Sequence, residues 1–184
     1  MKRFFLVPFL LIILCACESK PKATSLTLTG NVFGTTYKIV YQNTTVNYQK
    51  SIDSLFYLVN KSISTYLPSS DISLINKGDT SVVADTILLE LLKKSKEIHI
   101  KTDGYFDPSI GPLVNSLNFG PKNYDLPQGN LKALVGLDKF NIIDNKLIRP
   151  FNSFIDFNAI AKGYSVDVIS HFLSNNNEHN TRNK

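Results

Sequence analysis

The apolar positions along this chain change their spacing several times, and each spacing predicts a different backbone element. Residues 25–32 and 36–41 alternate apolar and polar side chains around a Phe-Gly-Thr junction at 33–35. Alternation is typical of half-buried strands, so these segments predict two strands joined by a short turn. Across residues 48–66 the apolar side chains recur at every third or fourth position, which predicts an amphipathic helix.

The pattern after residue 66 predicts short elements separated by long connections. A second amphipathic helix is expected at 86–101, with Asp85 as its N-cap and Gly104 just past its end. The stretch 103–129 is rich in Gly, Pro and Asn and is expected to be mostly loop. The remaining predicted elements are a helical turn at 71–76, strands at 139–143, 147–149 and 153–157, and a helix at 159–173. Strands that precede long helices favour an α+β fold class, with mixed or antiparallel sheets, over a doubly wound parallel sheet.

The N-terminal residues have the pattern of an export signal that ends in lipid attachment. Two basic residues precede an apolar run at 4–14, which is too short for a bilayer core about 30 Å thick that needs about 20 helical residues. The run leads through Ala16 to Cys17, the arrangement of a bacterial lipoprotein cleavage box. We therefore predict a signal peptide at 1–16, acyl chains on Cys17 and a polar tether at 17–25. A plain secretory signal is the alternative.

These features predict an exported protein that lipid on Cys17 anchors to a bacterial membrane, in the periplasm or on the outer face. Removal of residues 1–16 leaves 184 − 16 = 168 residues, enough for one domain, and lowers the formal charge from +5 to +3 as Lys2 and Arg3 are lost. That charge is spread along the chain, which gives no support for nucleic-acid binding. Both cysteines lie in the export segment, so disulfides, a cysteine nucleophile and cysteine-ligated zinc are not expected.

Three segments are unusual for simple connections. Residues 104–114 hold two glycines, two prolines and several apolar side chains, which is typical of an ordered binding loop or of a loop that only caps the core. At 64–66 a Ser-Thr-Tyr sequence follows the first helix, and a second polar segment follows at 70–76. Tyr66 is expected either to stack on a planar ring or to pack in the core.

Residues 156–167 form the third segment, where a predicted strand runs directly into a helix. The free backbone N–H groups and positive dipole end of such a helix favour an anion such as a phosphate. Lys162 in the first turn opposes that dipole at a cost of about 0.3–1 kcal/mol, and a bound phosphate would offset this cost. A lysine that is simply solvated is the alternative.

In this order, the segments resemble the FAD:protein FMN transferases, a flavinyl-transferase family also called ApbE. The resemblance covers about residues 30–173 and is carried by motifs at 34–37, 64–66, 70–73 with Asn76, 104–109, 111–114 and 156–167. It implies the α+β, T-fold-like fold of that family for residues 26–173.

The resemblance also implies an activity. Family members are exported, often as lipoproteins, which agrees with the N-terminus of this chain. They split FAD at its pyrophosphate, move FMN onto a Thr or Ser hydroxyl of a client protein and release AMP, in a reaction that requires Mg²⁺. The implied partner is a client flavoprotein, exported or part of a membrane redox complex, that accepts the FMN.

Individual residues acquire implied roles from the same resemblance. Seven positions match FAD contacts: Phe33, Tyr66, Tyr105, Phe106, Asp107, Asp156 and Lys162. Ala159 matches a magnesium ligand that acts through its backbone carbonyl. The expected catalytic residues are Lys162, as a point charge on the phosphates, and Asp156, as a hydrogen-bond acceptor that orients the nucleotide.

The last part of the chain departs from the family pattern. The family continues into a Gly-Gly motif and a later segment with acidic and hydroxyl side chains for magnesium, whereas residues 174–184 are polar and lack periodicity, a composition that suits disorder. We therefore expect the N-terminal part of a truncated domain, with an incomplete magnesium site and no transferase activity of its own. The alternative function is a non-enzymatic lipoprotein that binds FAD or is vestigial.

Overall fold

The computed structural model describes residues 25–42, 45–121, 124 and 129–182. Within them, two antiparallel hairpins and five α-helices follow one another along the chain. The elements are β1 (Ser25–Val32), β2 (Thr35–Gln42), α1 (Gln49–Ile63), α2 (Asp71–Lys77), α3 (Thr86–Lys101), α4 (Gly111–Ser116), β3 (Asn141–Ile143), β4 (Lys146–Ile148) and α5 (Asn158–Arg182). Short 3₁₀ turns lie at Pro108–Ile110, Leu131–Leu134 and Leu137–Lys139.

β1 and β2 form the hairpin that the alternating pattern predicts. They pair in antiparallel register up to Val32 opposite Thr35, which leaves Phe33 and Gly34 as a two-residue turn. Both turn residues have positive φ, 48° and 71°, as a type I′ hairpin turn requires. The predicted strands are confirmed, and the Phe33 side chain is placed at the tip of the hairpin.

α1 ends earlier than its apolar spacing predicts. The helix stops at Ile63, and Ser64 is extended, with ψ 113°. The hydroxyls of Ser70 and Ser73 donate to the carbonyl of Ser64, at 2.6 and 3.1 Å. These bonds fold the segment after α1 into a compact turn against α2, in place of the helical bonds that a longer α1 would make.

The main core lies between α1, α2, α3 and the segment that precedes α5. The buried apolar face of α3 packs there with Phe140 and Phe157. α3 begins at the predicted position because the Asp85 carboxylate accepts the Leu88 N–H at 2.8 Å, which is an N-cap bond. The same carboxylate oxygen accepts the Ser62 hydroxyl of α1 at 2.7 Å, so the cap also joins two helices.

The prediction of a strand at 153–157 is wrong. The apolar residues of this segment are buried, but no neighbouring strand pairs with it among the described residues. Instead, the side chain of Asn76 bonds the backbone of Ile155, accepting its N–H at 3.1 Å and donating to its carbonyl at 2.9 Å. The apolar run therefore predicts correctly that this segment is buried. It does not predict that the segment's backbone bonds the side chain of a distant residue, Asn76, in place of a neighbouring strand.

Two further boundaries differ from the predictions. Residues 103–129, expected to be mostly loop, contain α4, because proline is tolerated in a first helical turn and Gly111 fits closely against the ring of Phe154. α5 continues to Arg182, past the predicted end at 173, so the tail up to that residue is helical rather than irregular.

The predicted α+β fold class is confirmed, since helices and small antiparallel hairpins build one structure. Among the described helices, none has the length and apolarity needed to cross a membrane. The predicted signal peptide, the Cys17 lipid site and the tether up to residue 24 lie outside the described residues.

Candidate functional site

A cleft of about 660 Å³ lies between the β1–β2 turn, the end of α1 and the start of α5. Phe33, Tyr66 and Lys162 line it together with Asn158 and Ala161. The fold therefore brings three of the predicted FAD contacts, from three distant parts of the chain, onto one concave surface. Its volume is in the range of small-ligand sites, about 300–1,000 Å³.

Phe33 and Tyr66 supply the aromatic surface of the cleft. Phe33 meets the ring of Phe56 edge-on, with the ring centroids 5.9 Å apart. Tyr66 is 61 % exposed, and its hydroxyl lies 3.5 Å from the Phe119 carbonyl oxygen. Of the two interpretations of Tyr66, core packing is therefore wrong, and a ring that is accessible to a planar ligand agrees with the structure.

Lys162 is the fifth residue of α5, just past its first turn, and its side chain is exposed. No residue in the described part of the chain forms an ion pair or hydrogen bond with its ammonium group. It lines the cleft and also an adjoining groove of about 500 Å³ between the hairpin and α5. An unpaired ammonium near the positive end of the α5 dipole makes this end of the cleft positive, which suits a phosphate.

Asp156 lies two residues before α5 and is joined to the cleft through Asn158. One carboxylate oxygen accepts the backbone N–H of Asn158 at 2.8 Å, and the other accepts from its side-chain amide at 3.0 Å. Burial raises the pKa of Asp156 above its ordinary value, while the two Asn158 donors limit the rise. The carboxylate is therefore a well-oriented acceptor in a poorly hydrated position.

Asn158 is a cleft residue that the sequence predictions missed. Its side-chain amide donates to Thr65 Oγ1 at 3.2 Å as well as to Asp156, so both amide hydrogens are engaged. The start of α5 is thereby joined to the turn that carries Tyr66. The available signal was the Asp-x-Asn spacing before a helix, since Asp side chains bond the backbone N–H two residues on.

The predicted contacts at 105–107 belong to a loop that does not line the cleft. This loop joins the Asp156 segment through its backbone, because the Asp156 N–H donates to the Pro108 carbonyl at 2.8 Å. Tyr105 is 97 % exposed, whereas the Asp107 carboxylate caps the 3₁₀ turn that follows. The seven predicted contacts thus form two neighbouring sets, joined by one backbone hydrogen bond.

The segment before α5 is held from its other side by Arg149. The guanidinium donates to four backbone carbonyls, those of Ile75, Asn76, Pro150 and Ser153. Partial burial lowers the pKa of Arg149, and the four carbonyl acceptors take the place of lost water. Together with the bonds from Asn76 to Ile155, this arrangement gives Asp156 a rigid support.

The described residues do not by themselves form a magnesium site. No group of three or more Asp, Glu, His or Cys side chains lies close enough together among them to hold a metal ion. Ala159, the predicted carbonyl ligand, lies exposed in the first turn of α5. Mg²⁺ requires several oxygen ligands in octahedral geometry, which one carbonyl cannot supply.

Known proteins that are similar to this chain belong to the family that its sequence motifs resemble. The family model for ApbE matches residues 33–181. The FAD:protein FMN transferase of Vibrio cholerae is 32 % identical over 177 residues, which cover 89 % of this chain and 52 % of that protein. The protein of the same name from Haemophilus influenzae is 28 % identical, over 91 % of this chain and 54 % of that one. The chain spans about half the length of these curated relatives.

Solved structures give the same result for the fold. The flavin transferase ApbE from Vibrio cholerae matches with a TM-score of 0.74 at 30 % identity, over 83 % of this chain and 54 % of that one. The apo flavinyl transferase ApbE from Pseudomonas stutzeri also gives 0.74, at 24 % identity, over 85 % and 54 %. At 24 % identity, the match to the Pseudomonas stutzeri structure shows a shared fold alone. The match to the Vibrio cholerae structure shows a shared fold together with 30 % sequence identity.

Proposed function

We propose, since the chain belongs to the ApbE family, that it binds FAD in the cleft, and that a form with a complete magnesium site transfers FMN from this FAD to a Thr or Ser hydroxyl of a client protein, with release of AMP. The observation that carries the proposal is the convergence of Phe33, Tyr66 and Lys162 on one cleft. The curated relatives bear the name FAD:protein FMN transferase, which supports FAD as the substrate.

The proposed reaction is a phosphoryl-type substitution in which atoms balance without a redox partner. The client hydroxyl oxygen forms a bond to the phosphorus of the FMN half of FAD and loses its proton to solvent water. The bond from that phosphorus to the bridging oxygen breaks, and AMP leaves with the bridging oxygen. Reactions of this kind are accelerated mainly by positioning and by electrostatic stabilisation of charge on the phosphoryl oxygens.

The residues of the cleft supply these two effects in the proposal. Lys162 places its ammonium beside the pyrophosphate and stabilises the negative charge that develops there. Asp156, oriented by Asn158, accepts a hydrogen bond from the nucleotide, and Tyr66 offers an aromatic face to a planar ring. None of these residues forms a covalent bond with the flavin, because the attacking hydroxyl comes from the client.

Magnesium, the client and the membrane anchor complete the proposal. Mg²⁺, when bound, would neutralise charge on the phosphates, and in this chain the carbonyl of Ala159 is its one assigned ligand. The client is an exported or membrane redox flavoprotein, and acylation of Cys17 holds the transferase at the same membrane. Mass spectrometry of protein isolated from a bacterial membrane tests acylation, since an unmodified Cys17 would contradict it.

The first test measures FAD binding and transfer with the purified full chain in detergent. Flavin fluorescence gives the FAD affinity, and chromatography of AMP together with the mass of a Thr-containing peptide gives transfer in the presence of Mg²⁺. Lys162→Ala is expected to weaken FAD binding about 10- to 100-fold, because a charge-assisted hydrogen bond contributes about 1.5–3 kcal/mol. Lys94→Ala, at an exposed position of α3, is the matched control and should bind as the wild type does.

Each outcome distinguishes between the candidate functions. FAD binding with AMP release and FMN on the peptide supports the transferase. FAD binding without AMP release favours a non-enzymatic FAD-binding lipoprotein. Absence of FAD binding, or equal affinities of the wild type and Lys162→Ala, contradicts the proposed site.

A further inference from the structure

We infer that His99 is a positioning residue that fixes the loop at 104–107 and thereby sets the affinity of the protein for FAD. The inference rests on the proposed function, extended to residues 105–107, which the family resemblance matches to FAD contacts and which the bond from the Asp156 N–H to the Pro108 carbonyl joins to the segment before α5. His99 was not among the predicted site residues and lies outside the cleft. It follows from the hydrogen bonds at the C-terminal end of α3.

Two side chains of α3 and its C-cap hold the backbone of Phe106. Thr102 Oγ1 accepts the Phe106 N–H at 3.1 Å, and His99 Nδ1 lies 2.8 Å from the Phe106 carbonyl oxygen. A carbonyl oxygen only accepts, so Nδ1 carries the hydrogen and donates. We call these two bonds the Phe106 clamp. They satisfy both backbone groups of one loop residue.

The chain reaches the clamp by reversing its direction after α3. Asp103 and Gly104 have positive φ, 49° and 81°, and the Gly104 N–H donates to the His99 carbonyl at 2.9 Å. A Cβ built on Gly104 would lie 3.6 Å from Cε1 of His99, so the loop lies directly against the imidazole edge. His99 therefore contacts the loop both through its Nδ1–H and through its ring.

The clamp fixes backbone while it leaves side chains available. Tyr105 is 97 % exposed although the residue that follows it is held on both backbone groups. Asp107 accepts from the N–H and hydroxyl of Ser109, and its second carboxylate oxygen lies 3.9 Å from His99 Nδ1. A loop that is already ordered does not lose conformational entropy when it binds a ligand, which raises affinity.

The test compares FAD binding and amide exchange in the full chain and three variants. His99→Ala removes the donor and the ring, and should raise the FAD dissociation constant about tenfold, the effect of one lost hydrogen bond of ordinary strength. His99→Asn keeps an amide donor near the position of Nδ1 and should restore affinity to within about threefold of wild type. His171→Ala, at an exposed position of α5, is the control and should change nothing.

Hydrogen exchange supplies a readout that does not depend on FAD. The Phe106 amide should exchange faster in His99→Ala than in the wild type and His99→Asn, while the amides of α1 stay unchanged. Thr102→Val removes the other half of the clamp and should also weaken FAD binding, so it carries the test if His99→Ala fails to fold.

The outcomes separate this inference from the proposed function. Wild-type protein that binds FAD, with unchanged affinity in His99→Ala and Thr102→Val, overturns the inference alone. A lower melting temperature with unchanged affinity shows a purely structural role and overturns it as well, as does a His99→Asn variant as weak as His99→Ala. Wild-type protein that does not bind FAD contradicts the proposed function and the inference together.

Discussion

Two pairs of side-chain hydrogen bonds near the proposed site hold the backbone of a single residue, one in the interior and one at the surface. Asn76, only 7 % exposed, bonds the N–H and carbonyl of Ile155. His99 and Thr102 bond the same two groups of Phe106 in a partly exposed loop. In both places side chains bond an N–H and a carbonyl that no strand pairs with among the described residues. We therefore expect the same bonding pattern to determine global stability where water is excluded and local order where it is not.

The largest expected effect is that of Asn76→Ala, which breaks the buried pair. The N–H and carbonyl of Ile155 would be left unbonded in the interior, at about 1–3 kcal/mol each, so the free energy of unfolding should fall by about 2–6 kcal/mol. Urea unfolding followed by circular dichroism measures this change. Asn175→Ala, exposed on α5, is the control and should stay within about 0.5 kcal/mol. A loss below about 1 kcal/mol for Asn76→Ala would show that the buried pair does not determine stability.

Gly111→Ala tests whether the loop region and the Asp156 segment pack as one unit. The added methyl would overlap the ring of Phe154, and overpacking of this kind destabilises a protein by about 1–3 kcal/mol. Gly163→Ala is the matched control, because a Cβ there meets nothing within 4 Å and alanine favours a helix interior by about 1 kcal/mol. Thermal unfolding should therefore move in opposite directions for the two variants, and equal shifts would contradict this packing.

Thr102→Val should have a smaller effect on global stability. The Phe106 N–H that it releases lies in a partly exposed loop where water can replace the lost partner, so the free energy of unfolding should fall by about 1 kcal/mol or less. Thr86→Val, at the exposed start of α3, is the reference for the change of side chain alone. A loss as large as that of Asn76→Ala would remove the distinction between the buried and exposed pairs.

A change of pH should alter binding more than stability. Because burial raises the pKa of Asp156, its carboxylate takes up a proton at a higher pH than an exposed aspartate, whose pKa is about 3.9. FAD affinity should fall as the pH is lowered through that raised value, since the protonated group is a weaker acceptor. Asn158→Ala removes one donor that limits the rise, so the midpoint should move to higher pH.

Fluorescence titrations of FAD at a series of pH values measure that midpoint. Asp156→Asn cannot change its charge and should show no such dependence, which makes it the reference. A midpoint that is the same in the wild type and Asn158→Ala would contradict the role given to the Asn158 amide.

Local signals predicted much of this fold. Alternation gave β1 and β2, and Asp85 marked the start of α3, because strand faces and helix caps depend on residues within a few positions. The strand predicted at 153–157 failed because its backbone partner, Asn76, lies 79 positions away from Ile155. The sequence pattern does not reveal α4, because Gly and Pro favour loops, whereas here Gly111 allows close packing.

Site residues that lie within short contiguous motifs could be predicted from the sequence. Motif matching identified Phe33, Tyr66 and Lys162, and the structure brings them together. Asn158 was missed because the Asp-x-Asn spacing indicates only its local bonds to Asp156, whereas its bond to Thr65 spans 93 positions and has no sequence signature. His99 was missed for a different reason: its function depends on the direction in which the chain turns after α3.

The turn between β1 and β2 limits how this protein could be redesigned. Phe33 adopts a φ of 48°, a conformation that costs a non-glycine residue about 1–3 kcal/mol and that asparagine accepts more readily in such turns. A redesign ranked by thermostability would therefore select asparagine at this position and delete an aromatic wall of the cleft. Selection for flavin binding would instead retain phenylalanine despite its strained backbone. Selection for stability and selection for binding therefore favour different residues at position 33.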